Sequence, residues 1–282
     1  MCLVKNEADI IVETLQAARQ WCDFIYVFDN GSTDGTWELI LDLSEESNDQ
    51  LVAYKHDPAP YRNSLLGEIF DHYRANSCED DWWCRLDADE IYIDDPRIFL
   101  ATIPDRYEVV WGAFFQYYFT NRDLALYQRD PPLYSDDVPV EQKLRYYKNN
   151  WSERRFFRYR KQLTYEPGRE SAWPRGLGDA YPVRIRIKHF QYRSPQQIQK
   201  RLDTRREAVS RGRAFRHEER YVEQGWRARV ADASQLEYDD FDGRYVVNEA
   251  LMESLRPIRH PTFTSRVKPR IRKLAIGSRL RG

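Results

Sequence analysis

Residues 1–95 alternate four short apolar runs with segments of helical period, and few architectures accept that order. The runs are Met1-Cys2-Leu3-Val4, Phe24-Ile25-Tyr26-Val27-Phe28, Leu51-Val52-Ala53-Tyr54 and Trp82-Trp83-Cys84-Arg85-Leu86. A short continuous apolar run bounded by polar residues reads as a buried strand. Between the runs, Ile11, Leu15 and Ala18, then Trp37, Ile40 and Leu41, then Leu65, Leu66, Ile69, Phe70 and Tyr73 give three helices an apolar face. The order β-α-β-α-β-α-β implies an α/β fold with a mixed, mostly parallel sheet, right-handed crossovers and flanking helices. At 282 residues the chain is long enough for one large domain with an appendage.

Each predicted strand ends in polar residues. These are Asn6 and Glu7, Asp29 and Asn30, Asp57, and then Asp87 and Asp89. In an open α/β sheet, ligands sit outside the carboxyl ends of the strands. Any one of these ends reads equally well as a solvated loop, but four on one rim point to a ligand crevice. Asp87 and Asp89 are two apart, so in extended chain their carboxylates point the same way. Paired carboxylates make an oxygen site for Mn²⁺ or Mg²⁺, completed by substrate phosphates. A DxD sequence alone reads as readily as an acidic turn capping a strand.

The second half is less regular. Tyr107–Trp111 and Phe114–Phe119 read as strands, residues 121–150 as a long polar excursion over the site, and Arg154–Tyr159 as a further strand. Val183–Phe190 alternates apolar with basic residues, a half-exposed strand carrying His189. Pro195 opens a charged helix to about Arg211, with Ile198, Leu202 and Val209 as its apolar stripe. The expected division is a domain at 1–212, with the ligand crevice in its half 1–95 and a second half at 96–212, followed by a helical, basic extension at 213–282.

A formal net charge of −1 gives no global field for nucleic acid. Cys2, Cys22, Cys78 and Cys84 show no metal spacing and read as free thiols of a reducing compartment. No apolar run is long enough for a bilayer. The strand-like start leaves no room for a signal peptide, so the expected location is cytoplasmic. From Arg256 onward there are nine Lys or Arg residues and no acid. The stretch Val267–Ile276 reads either as a peripheral contact with an anionic membrane or as a packed end.

Val4-Lys5-Asn6-Glu7, Asp29-Asn30-Gly31-Ser32-Thr33-Asp34-Gly35-Thr36 and Leu86-Asp87-Ala88-Asp89-Glu90, in that order and each at a strand end, make the chain resemble a family 2 glycosyltransferase of GT-A fold over roughly residues 1 to 210. More narrowly, Arg155-Phe156-Phe157-Arg158, the Glu170 loop and His189-Phe190-Gln191-Tyr192-Arg193-Ser194 are similar to the branch containing bacterial lipopolysaccharide core glucosyltransferases. The resemblance implies a metal-dependent, inverting transferase of hexosyl type. Its donor would be a nucleotide-sugar, with a UDP-sugar favoured, and its acceptor a glycan or lipid-linked glycan in polysaccharide biosynthesis.

By the same resemblance Asn6, Glu7, Asp29, Asn30 and Asp57 would surround the nucleotide. Asp87, Asp89 and His189 would hold the divalent metal, and Asp87 would face the diphosphate through it. An inverting enzyme needs one carboxylate to take the acceptor proton. Glu170 is the chosen base. The similar branch has a His-Glu pair in that loop, whereas Arg169 precedes Glu170 here, so Glu166 and Asp179 stay as alternatives. Arg62, after the third strand, and Arg193, after His189, read equally well as bidentate contacts to the diphosphate or as solvent-facing side chains. Trp173, Tyr117 and Tyr118 read as sugar-stacking or core residues, and Trp111 as core. Two other functions fit the pattern less well. One is a non-catalytic nucleotide- or sugar-binding module. The other is a sugar-phosphate nucleotidyltransferase, which would need a glycine-rich loop where Lys5-Asn6-Glu7 stands.

Overall fold

The computed structural model describes residues 1–166, 170–210 and 219–255, with 207–210, 219, 220 and 222 described by backbone alone. The basic stretch Val267–Ile276 lies outside the described residues.

Strands β1 (Cys2–Val4), β2 (Ile25–Asp29) and β3 (Leu51–His56) form a parallel sheet in that order. Helices α1 (Ile11–Arg19) and α2 (Thr36–Glu45) pack on one face and α3 (Leu65–Tyr73) on the other. The period-2 alternation of β2 explains the layering. Ile25 and Val27 join Leu15 and Ile40 in one core, and Tyr26 and Phe28 join Ile69 and Phe70 in another. Every β2 residue is buried. Each large apolar side chain removed from water contributes about 1.5–3 kcal/mol.

The fourth run stitches this sheet to a second one. The Met1 nitrogen donates to the Cys84 carbonyl at 2.8 Å, and the Leu86 N–H donates to the Met1 carbonyl at 2.9 Å. Residues Trp82–Cys84, strand β4, also pair antiparallel with the end of β7 (Tyr146–Arg158). The two DxD carboxylates therefore follow the seam between the sheets. After β5 (Glu90–Tyr92) and helix α4 (Pro96–Ala101), β6 (Tyr107–Tyr118) pairs antiparallel with β7. Strand β9 (Ile185–His189) runs parallel to β6 and antiparallel to β5. Strand β8 (Asp179–Ala180) lies on β6, and β10 (Glu237–Tyr238) closes the outer edge of β7. The first three strands are parallel, as their alternation predicts, whereas the fourth run meets β1 only in a parallel bridge at Leu86 and otherwise belongs, with β5, to the mixed, largely antiparallel sheet of the second half.

Two expectations change here. Tyr107–Trp111 and Phe114–Phe119 are one strand running through Gly112. A Cβ at Gly112 would lie 2.6 Å from Ile187 Cδ1 and 3.0 Å from Phe114 Cε2, so glycine marks a close approach of β6 to β9 and not a break. The polar excursion is also shorter than its composition suggests. It holds α5 (Asn121–Arg129), capped reciprocally by Thr120 and Asp123, and the single turn α6 (Val140–Lys143), and it ends where β7 begins at Tyr146. Lys148-Asn149-Asn150 looks like loop but is strand. Asn149 is buried, donates to the Phe114 carbonyl at 2.9 Å and accepts from the Asn248 N–H at 3.0 Å.

Helices α7 (Pro195–Ser210), α8 (Glu219–Gln224) and α9 (Glu249–Ser254) complete the described chain. The stripe residues Ile198 and Leu202 are fully buried against Phe190 and Tyr192. Trp111 lies outside the three cores, half-buried beneath the Arg154 guanidinium. Among the described residues no helix is long and apolar enough to cross a membrane.

Gly112→Ala forces a methyl into a contact that neither Ile187 nor Phe114, both fully buried, can yield easily. The expected loss is about 1–3 kcal/mol of stability, read as a lower urea midpoint at unchanged slope. An unshifted midpoint would show that β6 and β9 do not approach as described.

Candidate active site

The loops after β1 and β2 are laced together before any ligand enters. Asn6 has φ 58°, a left-handed conformation that asparagine tolerates. Its N–H donates to Ser32 Oγ at 2.8 Å, and its Oδ1 accepts from the Thr33 N–H at 2.9 Å. The Glu7 N–H donates to Thr36 Oγ1 at 2.9 Å. Gly31, at φ 77°, lets the β2 loop pass under Pro58, whose Cα would stand 2.6 Å from a Cβ. At the end of β2, Asp29 Oδ1 accepts from the Ser32 N–H at 2.7 Å and faces His56 Nδ1 at 3.1 Å. Asn30 Nδ2 donates to the carbonyls of Asp57 and Ala59. Asp29 Oδ2 and Asn30 Oδ1 are buried with no hydrogen-bond partner among the described residues. Two buried acceptors side by side suit a ligand that brings N–H or O–H donors.

On the next strand end, arginines hold the carboxylates. Asp87 accepts from Arg85 Nε at 3.2 Å and from Arg155 Nη2 at 3.0 Å. The buried Arg155 also bonds Glu90 and, at 2.6 Å, Glu153, with its guanidinium 4.6 Å from the Phe114 ring centre. The pairing of Glu90 with His189 across β5 and β9 carries His189 Nε2 to 3.2 Å from Asp89 Oδ1. Arg193, also buried, reaches Asp9 at 2.6 and 2.8 Å, bonds Glu7 and donates to the Phe190 carbonyl at 2.7 Å. From α7, Arg201 stands 3.8 Å from Asp89 and 3.9 Å from Glu7, and Lys200 bonds Asp34.

These pairings set the protonation states. Burial pushes Asp87 and Asp89 upward, but cations outweigh it and hold both below their ordinary range: Arg85 and Arg155 at Asp87, His189, Arg201 and Arg193 at Asp89. Burial pulls His189 down, and the Asp89 charge and hydrogen bond overcome it and raise the imidazole. Glu90 goes the other way. Burial pushes it up to about 8, opposed by Arg155 and helped by the charge of Asp87.

Together these loops enclose a cleft of about 230 Å³ at the carboxyl ends of β1, β2 and β4. Asn6, Glu7, Asn30, Asp87, Asp89 and His189 line it, joined by Lys5, Tyr61 and Arg85, and by Arg201, Thr204 and Arg205 from α7. The model of Glycosyl transferase family 2 matches residues 3–172, more than half of the chain and the segment that carries most of this cleft. The chain belongs to that family. No curated protein matches it. The parallel sheet, the curled second sheet and a cleft at the strand ends make this a glycosyltransferase of GT-A fold.

The other expected residues of the glycosyltransferase lie off the cleft wall. Asp29 is fully buried and does not line the cleft. Asp57 is taken by Lys55 at 3.2 Å and by the Ala59 N–H at 2.9 Å. Arg62 is exposed and does not line the cleft. Arg193, expected on a diphosphate, is a buried hub for Glu7 and Asp9 instead. Glu170 accepts from the Asn63 N–H, and Asn63 Oδ1 accepts from the Tyr61 hydroxyl at 3.0 Å. Glu166 is paired with Arg175 at 2.6 Å. Asp179 sits beside Tyr107, at the far end of β6 from the Gln116–His189 pair, which removes it from the candidates for the base. The residues missed from sequence are Lys5, Tyr61, Arg85 and the α7 arginines. Of these, Arg201 and Arg205 carried a signal, being one turn apart on a helix and beside its apolar stripe.

Two neighbouring side-chain clusters offer oxygen or nitrogen donors to a divalent cation. Oxygens of Asp87, Glu90 and Glu153 lie within 4.8 Å of one another, but Arg155 bonds all three and already supplies the positive charge. The neighbouring donors fit better. His189 Nδ1 is buried without a hydrogen-bond partner among the described residues, and His189 lines the cleft beside Asp89 and Asp87. Carboxylate oxygen with imidazole nitrogen is a donor set that Mn²⁺ accepts.

Glu90 predicts a pH dependence. Its carboxyl releases its proton near 4.3 when unfolded and near 8 when folded. Between those values the folded chain binds more protons, so stability falls as pH rises. His189, raised when folded, adds a fall of the same sign above about 6.5. Urea midpoints of metal-free protein are expected to drop from pH 5 to 8, and Glu90→Gln to flatten most of that drop. An equally steep drop in the variant would contradict the assignment.

Proposed function

We propose that this glycosyltransferase is a metal-dependent inverting enzyme of hexosyl type, with its catalytic unit at 1–212. It moves a sugar from a nucleotide-sugar, a UDP-sugar by preference, to a glycan or lipid-linked glycan of surface-polysaccharide or lipopolysaccharide type. The observation that supports this reading is the one cleft that Asn30, with its unpartnered side-chain oxygen, shares with Asp87, Asp89 and His189.

Asn6, Glu7 and Asn30, backed by Asp29 and Asp57, bind the nucleoside. Asp87, Asp89 and His189 hold Mn²⁺ or Mg²⁺, which when bound neutralises the charge growing on the departing diphosphate. Glu170 takes the proton of the acceptor hydroxyl as that oxygen attacks the anomeric carbon from the face opposite the leaving group. Its placement supports the role. The Asn63 N–H fixes one carboxylate oxygen, and Asn63 in turn accepts from the hydroxyl of Tyr61, which lines the cleft. A second reading, a binding module without turnover, has one observation in its favour: both Asp87 oxygens already accept from guanidiniums.

Turnover separates the two readings. With acceptor glycans supplied, wild-type protein is expected to release nucleoside diphosphate and give product of inverted anomeric configuration. Glu170→Gln is expected to lower turnover by about 10²–10⁴ with donor affinity unchanged. Undiminished turnover in that variant removes Glu170 as the base, and no turnover by wild type with any acceptor favours the binding module.

A further inference from the structure

Beside the cleft runs a groove of about 810 Å³, within the range of roughly 300–1,000 Å³ that small-ligand sites occupy. Asn6 and Thr204 border both, so the two are continuous. Helix α7 supplies Gln196, Gln199, Lys200 and Asp203, whose i, i+3, i+4, i+7 spacing puts them on one helix face. Two half-buried aromatic residues line it as well, Tyr127 from α5 and Trp226 from the short turn Trp226–Arg229. Neither aromatic residue, nor any of the four from α7, has a role in the reading above. These side chains are held in place by one another. Gln199 Oε1 accepts from the Trp226 N–H at 3.3 Å, and its Nε2 donates to Asp203 Oδ1 at 3.1 Å. Gln196 donates to the Tyr127 hydroxyl, and the Arg227 guanidinium stands 4.5 Å from the Trp226 ring centre.

We propose that this groove is a carbohydrate subsite, holding an uncharged sugar ring of a glycan outside the donor cleft. The charges point to a neutral occupant. Lys200 is bonded to Asp34, and Asp203 accepts from Gln199 and, at 2.7 Å, from Arg206. Each charged side chain of the groove is thus matched by an opposite charge, and nothing there selects for phosphate or an acidic peptide. The remaining chemistry is that of a sugar, which presents hydroxyls around a ring with apolar C–H faces. The two glutamine amides each offer donor and acceptor, as does the Tyr127 hydroxyl, and that matches groups which are donor and acceptor at once. Indole and phenol rings supply broad apolar faces with a single polar handle. A groove for an apolar helix would carry apolar side chains in place of the amides, and one for single-stranded nucleic acid would join its aromatics to unmatched positive charge. The proposal stands on the groove itself and does not require the donor site. With the donor site as proposed, the continuity at Asn6 and Thr204 lets one glycan lie across both.

The test needs neither nucleotide nor metal. The full wild-type chain, in EDTA, is screened on an array of uncharged gluco-, galacto-, manno- and N-acetylglucosamine oligosaccharides, and calorimetry gives the affinity of the best binder. At least one oligosaccharide is expected to bind. Trp226→Ala is expected to weaken it about 10-fold or more, and Gln196→Ala about 3-fold or more. Trp226→Phe is expected to recover part of the loss, because an aromatic face remains. Gln196 is exposed, so its variant keeps the test open should Trp226→Ala fail to fold. No binding by wild type, undiminished binding in both variants, or binding that UDP with Mn²⁺ displaces competitively overturns the subsite. Each of these results leaves the donor site standing, because that site is tested by nucleotide titration and by turnover.

Discussion

Like charges crowd the carboxyl end of this sheet, and two buried guanidiniums hold them there. Arg155 gathers Asp87, Glu90 and Glu153, and Arg193 gathers Glu7 and Asp9. Removing Arg155 would leave the buried Glu90 and the half-buried Asp87 and Glu153 facing one another without their shared cation, and removing Arg193 would do the same to Glu7 and Asp9. The arrangement also ties distant parts of the chain together. Arg155 comes from β7 and Arg193 from the turn before α7, while all their partners except Glu153, also on β7, follow β1 and β4. The cleft is thus closed by charge pairing between the parallel and antiparallel halves, with apolar cores on either side giving it rigid walls.

This lattice explains why the carboxylates differ. Asp89 faces three cations and stays ionised, as a ligand for a positive ion must. Glu90, on Arg155 rather than on the cations around Asp89, is buried so completely that it keeps its proton near neutrality. Residues adjacent in sequence thus divide the work of site and scaffold, and burial decides between them.

The parallel half was legible because each of its strands and helices announces itself locally. β2 is five buried residues in a row, and the α1 stripe repeats at helical spacing. The strand ends were legible too, since Asn6, Asp29 and Asp87 follow apolar runs abruptly. What stayed hidden depends on partners far away in the chain. Gly112 looks like a break until Ile187 is beside it, and Asn149 looks like loop until Phe114 and Asn248 satisfy it. Arg193 and Arg201, eight residues apart, look alike in sequence. One is sealed against Glu7 and Asp9, and the other borders the cleft. Charge pattern alone cannot separate a scaffold arginine from a ligand-facing one, because the difference lies in which carboxylates the fold brings near.

The central claim is that Asp87, Asp89 and His189 make one metal-assisted donor site with the loops after β1 and β2. The most direct measurement is calorimetric titration with a panel of nucleotide-sugars, with and without Mn²⁺, on wild type and Asp89→Ala. The account predicts that one nucleotide-sugar binds, that binding requires Mn²⁺, and that Asp89→Ala abolishes it. Binding that is equally tight without metal, or unaffected in Asp89→Ala, would contradict it.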